Sequence, residues 1–406
     1  MELVFYLIII YGISKIALDL YQIKFISSVS VTDQEMTKLS IDDDFLNKSN
    51  EYNNEKLKVS IFASGLSLVI TYLIIFATGM DLIRSLSESI PISFINNDLK
   101  IILVFYLALT LINLPISYYK TFIVEQKFGF NKSTKNLFFK DFFISTILSL
   151  IIVMVLFKAF QIIYYASEDF WWLYIWILFI FVNILTAYIF PTLIAPLFNK
   201  FKKLEGGDLS KSITDLVNDT GFPLDDLYVM DGSKRSSHSN AYFTGMFGKK
   251  RIVFFDTLLD ILNTGEIKSV LAHEIGHYKE KHILQSTILL SFLSLALLYL
   301  FSMFINTILA QEALFTPVTT SYIAIIFMLL SPMILFFIMP LLSLFSRKNE
   351  YEADNFAKRY ANSEDLISSL LKLYRGNLSL VKSSSIYSAF YYSHPSVFDR
   401  ISNLER

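Results

Sequence analysis

The chain has 406 residues, of which 54% are apolar and only 17% are charged, and its formal net charge is −1 at pH 7. Soluble domains carry roughly a quarter charged residues, so this composition excludes an ordinary soluble enzyme and indicates a membrane protein with several spans. The balanced charge gives no support to a nucleic-acid partner, which would need a basic surface. The chain contains no cysteine, which excludes disulfides, thiolate metal ligands and a cysteine nucleophile.

Seven apolar segments are each close to the roughly 20 residues that a helix needs to cross a bilayer. They predict seven transmembrane helices. The first segment is the most polar, and its Lys15 and Asp19 can pair on one helical face; a surface amphipathic helix is the alternative for this segment. The segments are 3–26, 59–80, 101–119, 142–165, 170–190, 283–310 and 321–345.

Lysine and arginine near the ends of the spans indicate the orientation, because these residues stay on the cytoplasmic side. The segment 120–140 contains five lysines, whereas the connections 86–98, 166–169 and 311–320 contain no lysine or arginine. This distribution predicts an external N-terminus and a cytoplasmic C-terminus.

The polar segment 197–282 shows the pattern of a small α+β region. We expect a helix near Leu209–Asn218 that ends at Gly221, and a second helix that starts after Thr264 as its N-cap. By contrast, the stretch 29–57 is rich in Asp, Asn and Lys and predicts a flexible loop without chemistry. Strands are expected around Leu227–Met230, Ala241–Phe247 and Arg251–Phe255, with a turn at Gly248.

The sequence His273-Glu274-Ile275-Gly276-His277 is an HExxH motif shortly before the sixth apolar segment. On a helix, residues i and i+4 share a face, so both imidazoles can bind one Zn²⁺ while Glu274 reaches the attacking water as general base. An incidental pair of surface histidines is the alternative.

A third metal ligand is expected just after the last span. Catalytic zinc takes three protein ligands, and without cysteine the third must be His, Asp or Glu. Glu350 and Asp354 are separated by one helical turn, so one helix can offer Glu350 to the metal and Asp354 to the second nitrogen of a bound imidazole. Glu352 points elsewhere and is expected to be solvated. An ordinary charged helix face is the alternative interpretation.

These motifs, together with several others in the same order, resemble those of the CAAX prenyl protease 1 family of integral-membrane zinc metalloproteases, also called Ste24-like. The resemblance covers roughly 120–400, and the family has the number of spans predicted here. The segments that carry the resemblance are Glu125–Lys132, Pro191–Phe198, Ser237–Gly245, Lys250–Leu259, Leu271–His277, Ser346–Asp354 and Ser393–Ser396.

The resemblance implies an all-α polytopic membrane protein in which seven transmembrane helices enclose a chamber, with a cytoplasmic α+β zincin-like catalytic region. It implies one Zn²⁺ per chain, bound by His273, His277 and Glu350. It also implies that Glu274 is the catalytic base and that Asp354 orients a zinc-bound imidazole through its second nitrogen.

Two further residues follow from the matched motifs. Asn240 and His394 resemble residues that contact the substrate backbone and the developing oxyanion; from the residues alone, a structural role is expected for both. His238 and His282 lack the spacing of ligands. If the strand Ala241–Phe247 has a free edge, it can add an extended substrate as a further strand.

The expected activity is that of a zinc metalloendopeptidase acting near the C-terminus of CAAX-type substrates, usually farnesylated. General quality control of membrane or translocation-stalled proteins is the alternative. A transporter with a structural zinc would need polar residues in several spans. An intramembrane site-2-type protease would carry its motif inside a span, whereas His273 precedes the run 283–310 by about ten residues, or about 15 Å of helix.

The expected organisation assigns 1–196 to the first five transmembrane helices, 197–282 and 346–406 to two catalytic segments, and 283–345 to the last two transmembrane helices. The expected partners are a peptide or protein substrate and the lipid bilayer, without nucleic acid. We expect a monomer in the bacterial inner membrane or the endoplasmic reticulum, with its active site on the cytoplasmic side.

Overall fold

A computed structural model describes residues 2–167, 169–204, 206–244, 250–310 and 319–406. Most of these residues are helical. The helices are α1 Glu2–Ser28, α2 Asp33–Leu39, α3 Asp43–Phe76, α4 Gly79–Glu88, α5 Asn97–Tyr119, α6 Lys135–Ala166, α7 Trp171–Ile189, α8 Ala195–Phe198, α9 Asp208–Thr220, α10 Asp256–Ile261, α11 Thr264–Lys279, α12 His282–Ala310, α13 Thr320–Tyr360, α14 Ser363–Gly376, α15 Ser385–Tyr391 and α16 Val397–Glu405.

Seven of the described helical segments are long and apolar enough to cross a bilayer, which confirms the number and order predicted from the sequence. Short π-helical turns, Lys120–Glu125 and Phe190–Ile194, extend α5 and α7. The seven segments are Glu2–Ser28, Asp43–Phe76, Asn97–Glu125, Lys135–Ala166, Trp171–Phe198, His282–Thr307 and Thr320–Tyr360.

The spans pack around one apolar cluster, to which all seven contribute residues such as Phe105, Ile305 and Ile325. On the outer faces of α6 and α7, large apolar side chains such as Val155 and Phe181 are exposed. This surface is what contact with lipid tails requires, since lipid chains are as apolar as these side chains.

The polar residues of α1 attach this helix to its neighbours rather than to each other. The Lys15 ammonium donates to the Tyr391 hydroxyl at 2.9 Å, and the fully buried Asp19 accepts from Ser60 at 2.8 Å. Both contacts join α1 to other elements of the bundle. They favour a span inside the bundle over the alternative of a surface amphipathic helix.

The four strands form one sheet in the order β1-β2-β4-β3. β2 and β4 are parallel, while β1 and β3 pair antiparallel with β2 and β4. The strand β3 therefore lies at an edge of the sheet. The predicted extension of this strand to Phe247 and the turn at Gly248 lie outside the described residues. The strands are β1 Phe201–Lys203, β2 Leu224–Met230, β3 Ala241–Thr244 and β4 Lys250–Phe255.

The helix α11 starts one residue earlier than predicted. Its N-cap is Asn263, which forms a capping box with Glu266, so Thr264 is the first helical residue. The nearly buried Glu266 also accepts hydrogen bonds from Ser368 at 2.6 Å and from Lys372 at 2.7 Å. These contacts fix the start of α11 against α14.

The expectation of a flexible loop over 29–57 is wrong. This stretch forms α2 and the start of α3, whose N-caps are Thr32 and Asp42. Leu39 and Tyr52 are buried and pack in clusters that include residues after α13. Polar side chains cover the outer face of these helices, which gives the stretch the composition of a loop.

The close approach of α11 to α13 depends on Gly276. A Cβ atom at this position would lie 3.0 Å from Ala353 Cα and 3.0 Å from Phe356 Cβ, closer than ordinary van der Waals contact. The absence of a side chain lets the helix that carries the HExxH motif lie directly on the helix that carries Glu350.

We predict that Gly276→Ala destabilises the protein by about 1–3 kcal/mol, the usual cost of overpacking a filled interior. The measurement is the midpoint temperature of thermal unfolding in detergent. Gly65→Ala is the matched control, because a Cβ atom there meets nothing within 4 Å and alanine favours helix. Equal midpoints for the two variants would contradict the proposed close contact.

Candidate metal centre

The two histidines of the HExxH motif and Glu350 meet at one point between α11 and α13. The Nε2 atoms of His273 and His277 are 3.2 Å apart. Glu350 places Oε2 at 3.5 Å from His273 Nε2 and Oε1 at 3.3 Å from His277 Nε2. In the described part of the chain, these three residues form a group able to hold a metal ion.

The spacing and chemistry of this group fit a metal ion. Ligand atoms that bind a tetrahedral ion at about 2.0–2.2 Å lie about 3.3–3.6 Å from one another. Here the two Nε2 atoms are 3.2 Å apart, and the Glu350 oxygens lie 3.5 Å from His273 Nε2 and 3.3 Å from His277 Nε2. Glu350 Oε2 is buried and accepts no hydrogen bond, as expected of an oxygen that binds an ion. Two imidazoles and a carboxylate are donors that suit zinc.

A carboxylate contacts the ring nitrogen of His273 that does not face Glu350. Asp354 is fully buried, and its Oδ1 lies 2.8 Å from His273 Nδ1. This contact directs the other ring nitrogen towards Glu350, since a hydrogen bond at Nδ1 fixes both the ring orientation and the tautomer. The structure thus brings together the four residues that the sequence analysis expected on α11 and α13.

Arg400 is a site residue that the sequence analysis missed. Its guanidinium binds Asp354 in a bidentate manner, with Nη2 to Oδ1 at 2.6 Å and Nε to Oδ2 at 2.9 Å. Its Nη1 lies 3.3 Å from Glu350 Oε2. The arginine offsets the charge of two buried carboxylates, which would otherwise be costly to desolvate. No spacing rule links Arg400 on α16 to residues on α13, so only the fold reveals it.

The Nδ1 atom of His277 is contacted by a histidine rather than by a carboxylate. Its Nδ1 lies 3.0 Å from His282 Nδ1, and His282 Nε2 lies 3.0 Å from Glu352 Oε2. Lys281 adopts a left-handed conformation, with φ of 60°, and separates α11 from α12 so that His282 folds back on His277. Glu352 lies outside the group of three and is 38% exposed, in keeping with the expectation that it is solvated, but it also contacts His282. His282 likewise lies outside the group of three.

The remaining predicted residues are His394, Asn240 and Glu274, of which His394 contacts Glu350. His394 Nε2 is 3.3 Å from Glu350 Oε1 and its side chain is 64% exposed. Asn240 precedes β3, and its Oδ1 accepts from the Ala241 N–H at 2.8 Å. Glu274 is half-buried on α11. His394 and Asn240 line one cavity of about 1660 Å³.

The sequence model of Peptidase family M48 matches residues 203–406, and that of the CAAX prenyl protease N-terminal region, with five membrane helices, matches residues 4–200. The chain belongs to peptidase family M48. It is a multi-pass membrane metalloprotease, and the family resemblance inferred from the motifs is confirmed.

Known relatives of this M48 peptidase are similar over most of their length. CAAX prenyl protease 1 of Saccharomyces cerevisiae is 38% identical, covering 90% of this chain and 86% of the relative. A CAAX prenyl protease 1 homolog of Dictyostelium discoideum is 36% identical, covering 92% and 89%. The crystal structure of S. mikatae Ste24p matches with a TM-score of 0.90, 34% identity and 98% coverage of both chains. The expected fold class, a helical multi-pass membrane protein with a small sheet in its catalytic region, is therefore confirmed.

We predict that Glu350→Ala removes nearly all bound metal from the M48 peptidase, because two imidazoles alone cannot complete the site. Asp354→Ala should weaken metal affinity by about 10–100-fold, as is usual when the partner of a ligand is lost. Metal content per chain is measured by mass spectrometry after dialysis.

Glu352→Ala is the comparison on the same helix, since it changes a carboxylate that contacts His282 rather than a predicted ligand. It should retain far more metal than Glu350→Ala. The opposite order would show that the wrong carboxylate was assigned.

Proposed function

We propose that this M48 peptidase is a zinc metalloendopeptidase that cleaves protein substrates near a C-terminal CAAX sequence. The observation that carries the proposal is the group formed by His273, His277 and Glu350. The two imidazole Nε2 atoms are 3.2 Å apart and lie 3.5 and 3.3 Å from Oε2 and Oε1 of Glu350, and His394, which contacts Glu350, lines a cavity of about 1660 Å³. The similarity to CAAX prenyl protease 1 of S. cerevisiae supports the substrate class.

In this proposal, His273, His277 and Glu350 hold the zinc ion. When bound, zinc polarises the scissile carbonyl and lowers the pKa of water. The carboxylate of Glu274, on the same helix and outside the ligand set, accepts a proton from the attacking water. It then delivers that proton to the amine nitrogen of the leaving peptide.

His394 and Asn240 are proposed to stabilise the negative charge that develops on the carbonyl oxygen. The Asn240 side-chain oxygen already accepts the Ala241 N–H, so its amide group is the part left to donate. His394 Nε2, close to Glu350 and largely exposed, can donate into the same cavity. Donors placed where charge develops are worth about 3–4 kcal/mol each.

An extended substrate is proposed to bind along β3. This strand lies at the edge of the sheet, with β4 on one side. An edge strand offers a row of backbone donors and acceptors to which a peptide can add as a further strand. Asn240, immediately before β3, would then lie next to the bound backbone.

The chain divides in this proposal into 1–196 and 283–345, which contain the transmembrane helices, and the catalytic segments 197–282 and 346–406. One buried apolar cluster combines Ile275 of the first catalytic segment with Phe356 of the second. This shared core supports a single catalytic region built from two stretches of chain. In this proposal, one monomer contains the whole catalytic region.

The active site is proposed to face the cytoplasm. The segment 120–140 contains five lysines, whereas 86–98 contains no lysine or arginine, a difference that favours a cytoplasmic location for the first. Asn131 in this segment pairs with Ser236 of the catalytic region. The site therefore lies on the side that carries the lysines.

The test of the proposed function compares the protein with Glu274→Gln on a farnesylated CAAX peptide. The protein should cleave one bond near the C-terminus, identified by mass spectrometry. Glu274→Gln should keep about one zinc per chain and lose nearly all activity, because glutamine cannot accept the proton. Loss of zinc from a folded Glu274→Gln protein would contradict the assigned role.

The substrate control is a peptide of the same sequence without the farnesyl group. Cleavage that requires the lipid supports processing of prenylated proteins. Equal cleavage of both peptides, and of unrelated unfolded segments, would instead support general quality control of membrane proteins.

We predict that His394→Ala and Asn240→Ala each lower kcat by about 10²–10³ while zinc content and KM change little, because the interactions are made mainly in the transition state. Steady-state kinetics on the same peptide provide the measurement. The double variant should lose less than the product of the two single losses, since both groups act on one charge. A raised KM with unchanged kcat would assign His394 to ground-state binding.

A further inference from the structure

A second group of polar side chains lines the same cavity, away from the metal ligands. It consists of Tyr52 and Lys56 on α3, Lys120 and Glu125 on the turn that extends α5, and His238 before β3. The mechanism proposed above uses none of these residues. His238 is two positions before Asn240, so the group lies beyond the start of the edge strand.

The carboxylate in this group is already satisfied by neighbouring donors. The Tyr52 hydroxyl lies 3.0 and 3.1 Å from the two Glu125 oxygens, and His238 Nε2 lies 3.4 Å from Glu125 Oε2. His238 Nδ1 is 2.8 Å from Asn377 Oδ1. The hydrogen bond with Glu125 raises the pKa of His238.

The two lysines, by contrast, have no carboxylate within ion-pair distance among the described residues. Lys56 Nζ lies 4.8 Å from the centre of the Tyr52 ring, and Lys120 lines the same cavity on the turn that carries Glu125. Two ammonium groups without an ion-pair partner in one cavity can attract an anion.

The other cationic side chains of the cavity have partners. Arg347 donates to two backbone carbonyls, Lys382 pairs with Glu35 at 2.8 Å, and Arg400 binds Asp354. Lys348 lies 3.5 Å from Glu352. The carboxylates that pair with Lys348 and Arg400 lie outside the lining of the cavity. Among the described lining residues, Lys56 and Lys120 are the lysines left without an ion pair.

The direction of a bound peptide brings its C-terminus to these lysines. Antiparallel pairing is the more stable arrangement of neighbouring strands, and β3 pairs in this way with β4. A peptide antiparallel to β3 ends beside the start of that strand, next to His238. Three extended residues, the number that follows the cysteine in a CAAX sequence, span about 10 Å. For so short a released segment, we expect the terminal carboxylate on the side of the cavity where β3 starts.

We propose that Lys56 and Lys120 form a subsite for the C-terminal carboxylate of the substrate. The inference rests on the proposed function, because it concerns the same cavity and a substrate that is cut near its end. Each ammonium group can donate a charge-assisted hydrogen bond to the carboxylate. A protein-walled cavity strengthens that attraction relative to water. The subsite would select chain ends over internal segments.

The test uses two farnesylated CAAX peptides of identical sequence, one with a free C-terminal carboxylate and one with a carboxamide. The protein should favour the acid in kcat/KM by about tenfold or more, mainly through KM, as the loss of a hydrogen bond to a charged group predicts. In the double variant Lys56→Gln/Lys120→Gln, the ratio of acid to amide should fall to about one.

Lys58→Gln is the matched control. It removes a lysine from the same helix, but Lys58 is exposed and pairs with Glu55 at 2.8 Å, so the preference for the acid should persist. Should the double variant fail to fold, Lys120→Gln alone must lower the ratio, since Lys120 is exposed and its replacement leaves the packing intact.

The outcomes separate the two proposals. Equal cleavage of both peptides by the protein overturns the subsite and leaves the endopeptidase function intact. Failure of the zinc-loaded protein to cleave either peptide contradicts the proposed function itself. A preference for the acid that survives in the folded double variant shows that the carboxylate is recognised elsewhere and overturns the assignment to these lysines.

Discussion

The direct contact of α11 with α13 at Gly276 is the constraint on which the rest of the site depends. The two histidines of α11 can share a metal ion with Glu350 only if Glu350 lies close to both, and a side chain at residue 276 would push the helices apart. The contact also buries Glu350 and Asp354, which is unfavourable for two negative charges. Arg400, from the last helix, lies against both carboxylates and offsets this cost.

The parts of this site that follow from local periodicity could be predicted from the sequence. His273 and His277 share a helical face because they are four residues apart. The absence of cysteine limited the third ligand to His, Asp or Glu, and the family resemblance then pointed to Glu350. Arg400 could not be found in this way, because its contact with Asp354 is set by how α16 packs on α13. A salt bridge between distant segments has no sequence spacing, so only tertiary structure reveals it.

The stretch 29–57 shows a different limit of prediction from the sequence. Its polar composition suggested a loop, yet the caps at Thr32 and Asp42 are signals that the sequence does contain. What the sequence did not show is that Tyr52 would be buried against distant segments and placed beside the cavity. The N-terminal helices are thus more than a membrane anchor. They form one wall of the space in which the proposed substrate binds.

Residues of these helices can fix the register of a bound peptide, which pairing with an edge strand alone does not fix. Backbone hydrogen bonds to β3 are nearly independent of the peptide sequence, so a bound strand could shift by two residues and still keep every side chain on its original face. Each such shift would bring a different peptide bond to the metal. A fixed contact for the chain end, at the pair formed by Lys56 and Lys120, would remove this freedom, because only one register satisfies both the terminal carboxylate and the edge strand. In this arrangement the position of the cut is set by the distance from the chain end rather than by the side chains at the cleaved bond.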